Sequence, residues 1–259
     1  MRKITINLAA VAAFCIVVAS PTLVSSSCAT PKTEQEDTTI IREDSGITAL
    51  KYSSPEVPAS IEFCGKTIDL SRFDRHERMD RELLAFTYMH STSLQMLKKA
   101  NRYFPIVEPI LKENGIPDDF KYLMVIESNM NPTARSSAGA AGLWQFMQGT
   151  GRDYGLEVNN NVDERYHIEK ATRAACRYLK DAYAKYKDWV AVAASYNAGQ
   201  ARIASQLAKQ DVDDSLDLQL VEETARYVYR ILAAKQLFNA PTTFAVSYTH
   251  LRAHETEAD

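Results

Sequence analysis

Met79, Leu83, Phe86 and His90 recur at intervals of four, three and four, and this helical period restricts the fold more than any other feature of the chain. It lays one apolar stripe along a helix and predicts an amphipathic helix over 78–90, with His90 read as a core or boundary histidine satisfied by a neighbour. Leu94, Leu97, Ala100 and Phe104 extend that helix or begin a second. Ala171, Ala175, Tyr178 and Ala182 repeat the period as a small-residue face suited to close helix packing. Leu220, Thr224, Tyr227, Ile231, Ala234 and Phe238 form a last stripe. Boundary residues agree. In "GIPDDF", Gly115 ends one element, and Pro117, Asp118 and Asp119 favour the start of another. "DWVAVAASYNAG" opens on Asp188 as a cap and closes at Gly199. Strand character is confined to "IEFCGKTIDL", a small hairpin around Gly65-Lys66. The expected fold class is all-α, with roughly seven or eight helices and no internal repeat.

The two ends read differently from this middle. Arg2 and Lys3 precede an apolar run from Ile4 to Ala19, the pattern of an export signal over 1–28. A membrane anchor is the competing reading, but the run is shorter than the ~20 residues a span requires. Cys28 follows "LVSSS" and is a candidate lipid anchor, although Ser25 stands where lipoprotein signals carry an apolar residue. Lipidation and plain secretion therefore both stand. Residues 29–60, rich in Thr, Glu, Asp, Ser and Pro, form a solvated linker. The segment 61–103 is a mostly helical N-terminal extension. The stretch 247–259 shows no periodicity, resembles translated adapter sequence and is set aside as non-native.

With 259 residues, 46% of them hydrophobic, the chain can bury one sizeable core. Its formal charge of −3 gives no bulk electrostatic reason to bind nucleic acid. Cys64 and Cys176 are compatible with one disulfide or with two buried free thiols. No C-x-x-C and no histidine pair at ligand spacing occurs, so no metal site is expected.

The chemistry concentrates around "IESNMNP". Leu123, Met124 and Glu127 share one helical face, so Glu127 points into apolar surroundings and its pKa should rise. A carboxyl protonated near neutral pH can donate a proton to a leaving group and later take one back. An ordinary last-turn glutamate, solvated or paired with an arginine, is the alternative. Asn131-Pro132 ends the helix. "ARSSAGAAG" follows, a run in which backbone can approach a ligand closely. Trp144 and Gln145 then offer an aromatic plate for a sugar ring and a neutral donor and acceptor. Together these features describe a cleft for a neutral polymer.

"VIESNMNPTARSSAGAAGLWQFM", "AASYNAG" and "EETARYV" resemble the three motifs of the soluble lytic transglycosylase domain, most closely in the membrane-bound lytic murein transglycosylase D group. The likeness runs from Phe104 to Phe238 and assigns 104–240 as the catalytic domain. It implies a lysozyme-like helical fold acting on peptidoglycan glycan strands, exported to the periplasm, without cofactor. The β-1,4 bond between N-acetylmuramic acid and N-acetylglucosamine would be cut by the muramyl 6-hydroxyl, leaving 1,6-anhydro ends.

By this resemblance Glu127 is the single catalytic acid, then base. The implied substrate contacts are Ser128, Ser136, Gln145, Tyr196, Asn197 and Tyr227, with the Tyr227 hydroxyl bonded to the acid. Trp144 replaces the commoner methionine, and Ser195 an alanine. The arginine often found after "ET" is Ala225 here, and Arg226 is given no ligand role. A goose-type lysozyme-like hydrolase would share the fold and the acid but would normally recruit a second carboxylate, for which Asp153, Asp163 and Glu164 are candidates without distinguishing spacing. A catalytically silent peptidoglycan-binding protein is the other alternative.

Overall fold

The computed structural model of the chain describes residues 55–244. The expected signal over 1–28, the candidate anchor Cys28, most of the linker and the tail over 247–259 lie outside them. Among the described residues no helix is long and apolar enough to cross a membrane.

The hairpin forms from β1 (Ser60–Phe63) and β2 (Lys66–Asp69), antiparallel, with Ile61 opposite Ile68. Its turn centres on Cys64-Gly65, one residue earlier than expected, and both carry positive φ, 53° and 83°. A two-residue turn of type I′ requires φ > 0 at both central positions. Cys64 is held there by donating its backbone N–H to Asp119 Oδ2 at 2.7 Å. Asp119 also pairs with Lys235 at 2.7 Å, so the hairpin is tied to the core at its tip. Cys64 and Cys176 are both free; Cys176 is buried and half-buried Cys64 sits in this turn, so of the two open readings the free thiols are found.

Helix α1 spans Phe73–Tyr88 and begins five residues before the expected Arg78. Its buried face is Arg75, Met79, Glu82, Leu83 and Phe86. Two of these five are charged, so the apolar pattern alone could not reveal the first turn. The helix stops at Met89, and His90 opens α2 (His90–Glu113). His90 is exposed, so of its two expected places it takes the boundary, where α1 meets α2, and not the core. Ser93 helps to seal this boundary, its hydroxyl donating to the Phe86 carbonyl at 2.8 Å. Helix α2 continues without a break through residue 104, so the N-terminal extension and the segment after it share one helix.

Helix α3 (Phe120–Ser128) buries Phe120, Tyr122 through Ile126 and Ser128, so it is enclosed on nearly every side. It ends where Asn129 adopts φ 49°, a left-handed C-terminal residue. After the short α4 (Gln148–Asp153), α5 (Ile168–Tyr186) buries Ala171, Ala174, Ala175 and Ala182 and packs against α2 and α6. Helix α6 (Trp189–Ala198) begins as expected: Asp188 Oδ1 accepts from the Val190 N–H at 2.9 Å. Helix α7 spans Gln200–Gln210, and α8 (Glu222–Asn239) lies against α1, α3 and α6. Leu220 precedes α8 rather than belonging to it. The described residues thus form the mostly helical fold the periodicity predicts.

Candidate active site

Glu127 lies in the last turn of α3 and is half-buried, while Leu123 and Met124 on the same face are fully buried. Loss of hydration pushes its carboxyl up to about 7. The negative charge of Glu223 adds to the rise; the Tyr227 hydrogen bond and the positive charge of Arg230 oppose it. Tyr227, on the facing side of α8, donates its hydroxyl to Glu127 Oε1. Burial, followed by the Glu127 charge, holds the Tyr227 and Tyr196 phenols well above their usual range. Both therefore stay protonated as donors when the carboxyl ionises.

A cavity of about 480 Å³ is lined by Gln145, Phe146, Met147, Tyr154, Tyr196 and Asn197, among others. Tyr196 fixes one wall by donating to the Trp144 carbonyl at 2.7 Å. Its ring packs edge-on against Tyr178, with centroids 5.1 Å apart. Asn197 Oδ1 accepts from the Thr224 hydroxyl at 2.8 Å, which joins the end of α6 to the first turn of α8. Gln145 adopts φ 48° and gives its side-chain amide hydrogens to the Ala134 and Gly142 carbonyls at 3.1 and 2.7 Å. It braces the loop while lining the cavity.

Three sequence-derived roles change. Trp144 is fully buried, and its indole N–H donates to Thr172 Oγ1 at 2.9 Å, so it is a core residue and not a plate for a sugar. Ser128 is 6% exposed and spends its hydroxyl on the Met124 carbonyl within α3, which leaves it facing the helix and not the cavity. The close backbone approach expected in "ARSSAGAAG" occurs at Gly142, but toward the protein itself: a Cβ there would lie 1.9 Å from the Arg165 carbonyl oxygen. Ser136 is exposed in this loop, where its hydroxyl accepts from the Ala140 N–H at 3.0 Å.

Sequence reasoning missed Arg165 and Arg230. Arg165 is 4% exposed and paired with Asp163 at 2.7 Å. It also donates to the Gly139 and Phe146 carbonyls at 2.8 and 3.0 Å, stapling the loop that carries Gln145. No spacing signals such a contact. Arg230 was legible in principle, since it follows Tyr227 by three residues on one helical face. Among the described residues, no group of three or more His, Cys, Asp and Glu side chains is disposed to hold a metal ion.

The family profile described as the transglycosylase SLT domain matches residues 105–217. The chain contains a transglycosylase SLT domain. It is homologous to membrane-bound lytic murein transglycosylase D of Escherichia coli strain K12, at 29% identity over 175 residues, 66% of this chain and 38% of that protein. Peptidoglycan transglycosylase gp16 of Escherichia phage T7 is 31% identical over 123 residues, 46% of this chain and 9% of its own length. The chain thus spans well under half the length of these curated relatives. An X-ray structure of an inactive mutant of lytic transglycosylase Slt from Pseudomonas aeruginosa is similar over 57% of this chain and 26% of that chain, at 21% identity and a TM-score of 0.46. Glu127, Gln145, Tyr196 and Asn197 fall inside the matched SLT segment, whereas Tyr227 lies ten residues beyond its end.

Proposed function

We propose that the protein is a peptidoglycan lytic transglycosylase in which Glu127 acts first as acid and then as base. The observation that carries this reading is a carboxyl with a pKa of about 7, held by the Tyr227 phenol and felt electrostatically by Tyr196, which lines a saccharide-sized cavity. Protonated, Glu127 donates to the glycosidic oxygen as the bond between N-acetylmuramic acid and N-acetylglucosamine breaks. Ionised, it removes the proton from the muramyl 6-hydroxyl as that oxygen closes on its own anomeric carbon. One group with a pKa near the working pH serves both steps. Tyr227 orients the carboxyl, while Gln145, Tyr196, Asn197 and Ser136 bound the substrate channel. No cofactor enters this scheme. The site of action is the periplasm, with Cys28 as candidate anchor.

A hydrolase would need a second carboxylate to activate water or attack carbon. Asp163 is held by Arg165, and Glu164 by Lys170 and the Glu157 N–H. Asp153 is exposed at the end of α4. These engagements favour attack from within the substrate. Mass spectrometry of muropeptides released from purified peptidoglycan tests the reading. Products lighter by one water, with anhydromuramyl ends, are expected; reducing ends would replace it with hydrolysis.

A further inference from the structure

Glu82 stands out among the polar residues of the core. It lies on α1, is 2% exposed, and accepts from Arg226 Nε at 2.6 Å. Arg226 immediately precedes Tyr227 on α8, so the two side chains leave that helix about 100° apart. One is gripped by α1 and the other reaches the acid on α3. The Glu82–Arg226 pair belongs to a set of ion pairs from the hairpin and α1 to α8 and the segment leading into it. The others are Lys66–Asp214, Arg72–Asp217, Arg75 with both Asp214 and Asp217, and Arg81–Glu222. Both α1 and α8 lie outside the matched SLT segment.

A buried ion pair adds little net stability relative to well-packed apolar residues. The α1 face already contributes Met79, Leu83 and Phe86, each at most 8% exposed, so cohesion between the helices does not require a charge at position 82. A charge-assisted N–H···O contact contributes direction. Apolar contacts tolerate small rotations of a helix, whereas this bond does not. The neighbouring Tyr227 hydroxyl must be placed within ~0.5 Å to engage a carboxyl productively.

We infer that α1 is a working part of the active site, and that Glu82 is a positioning residue which, through Arg226, fixes the rotation of α8 and so the reach of the Tyr227 hydroxyl to Glu127. Loss of the pair lets α8 turn and loosens the Tyr227 contact. That contact lowers the Glu127 pKa, so its weakening raises the pKa further. The other charged or titratable groups acting on Glu127 are Arg230 and Glu223, both from α8. Tyr196 of α6 feels the Glu127 charge in return. At the other end, Arg226 senses Glu82 first and Glu222 as a weaker second charge.

The experiment is a carbon-13 NMR titration of the Glu127 carboxyl in the full chain, alongside the pH dependence of muropeptide release from sacculi. Glu82→Leu and Arg226→Leu should each move the midpoint upward by about half a pH unit or more. They should also lower kcat about tenfold with KM little changed. Arg226→Lys should recover part of both effects. The double variant Glu82→Leu/Arg226→Leu should shift the midpoint no further than either single change, because both remove one contact. Arg75→Met breaks the neighbouring pairs with Asp214 and Asp217 and should lower Tm without moving the midpoint. If Glu82→Leu fails to fold, Glu82→Gln keeps the shape with a weaker acceptor and should shift the midpoint less, in the same direction. A folded Glu82 variant with reduced Tm but an unmoved midpoint would overturn the inference. The activity readout rests on the transglycosylase reading and the titration does not: a wild type that releases no muropeptides sinks that reading alone.

Discussion

Glu127 from α3 and Glu82 from α1 meet consecutive residues of α8, Tyr227 and Arg226. Both carboxyls are withdrawn from water, yet their partners differ in kind. Arg226 brings a guanidinium and makes an ion pair. Tyr227 brings a neutral hydroxyl, which cannot offset the loss of hydration, so the Glu127 carboxyl stays close to the point where it exchanges a proton at about pH 7. Burial alone therefore does not make an acid useful. The partner decides whether the group is a tether or a proton carrier.

The largest effect should come from removing the proton carrier. Glu127→Gln keeps the size and the Tyr227 contact but cannot give or take a proton. Release of anhydromuropeptides should fall by at least ~10³-fold, while pelleting with sacculi is retained. Appreciable residual turnover would mean that the acid lies elsewhere.

The same substitution should sharpen the comparison through stability. The Glu127 pKa is raised in the folded state from 4.5 to about 7. Its contribution to stability is accordingly complete below pH 4.5 and is lost as pH rises through 7. Glu127→Gln should leave stability unchanged at low pH and increase it above pH 7, by up to about 3 kcal/mol. Denaturant melts of both proteins across this range provide the check, and parallel curves would contradict the raised pKa.

Tyr227→Phe tests the partner in place of the acid. Without the phenol, the strongest influence lowering the Glu127 pKa disappears, so the alkaline limb of the rate profile should move to higher pH. Turnover at the optimum should drop about 10- to 100-fold through lost orientation. An unmoved limb would show that the contact is incidental to the ionisation. A smaller loss follows from Thr172→Val, which leaves the buried Trp144 N–H unpaired. It should cost about 1–2 kcal/mol with turnover per folded molecule unchanged, since Trp144 belongs to the core.

These comparisons also explain which parts of the molecule were legible in the sequence. Glu127 could be read because Leu123 and Met124 announce an apolar face, and Asp188 because a cap acts within its own turn. The contact between Tyr227 and Glu127 joins residues 100 positions apart. Only the resemblance to known motifs anticipated it. Arg75 and Glu82 were invisible because hydrophobic periodicity counts a buried ion pair as surface. Trp144 was misjudged for the complementary reason: an aromatic next to a polar loop looks accessible until Thr172, on α5, is found against its indole. Local chemistry can be inferred from neighbours in the chain, whereas pairing between elements requires the packed structure.

Arg81 supplies the smallest and most discriminating prediction, because it is adjacent to Glu82 and reaches the same helix. Its partner is Glu222, and the two side chains are 56% and 68% exposed. Water screens such a pair, and holding two long side chains together costs rotamer freedom. Arg81→Ala should therefore change stability by only a few tenths of a kcal/mol, with no movement of the Glu127 titration. Measured by urea midpoint beside Glu82→Gln, the two variants separate a buried tether from a solvated one at neighbouring positions. A loss above about 1 kcal/mol for Arg81→Ala would indicate that the ion pairs along α1 act as one network. In that case the positioning of Tyr227 would be distributed over the whole set and not concentrated at Glu82.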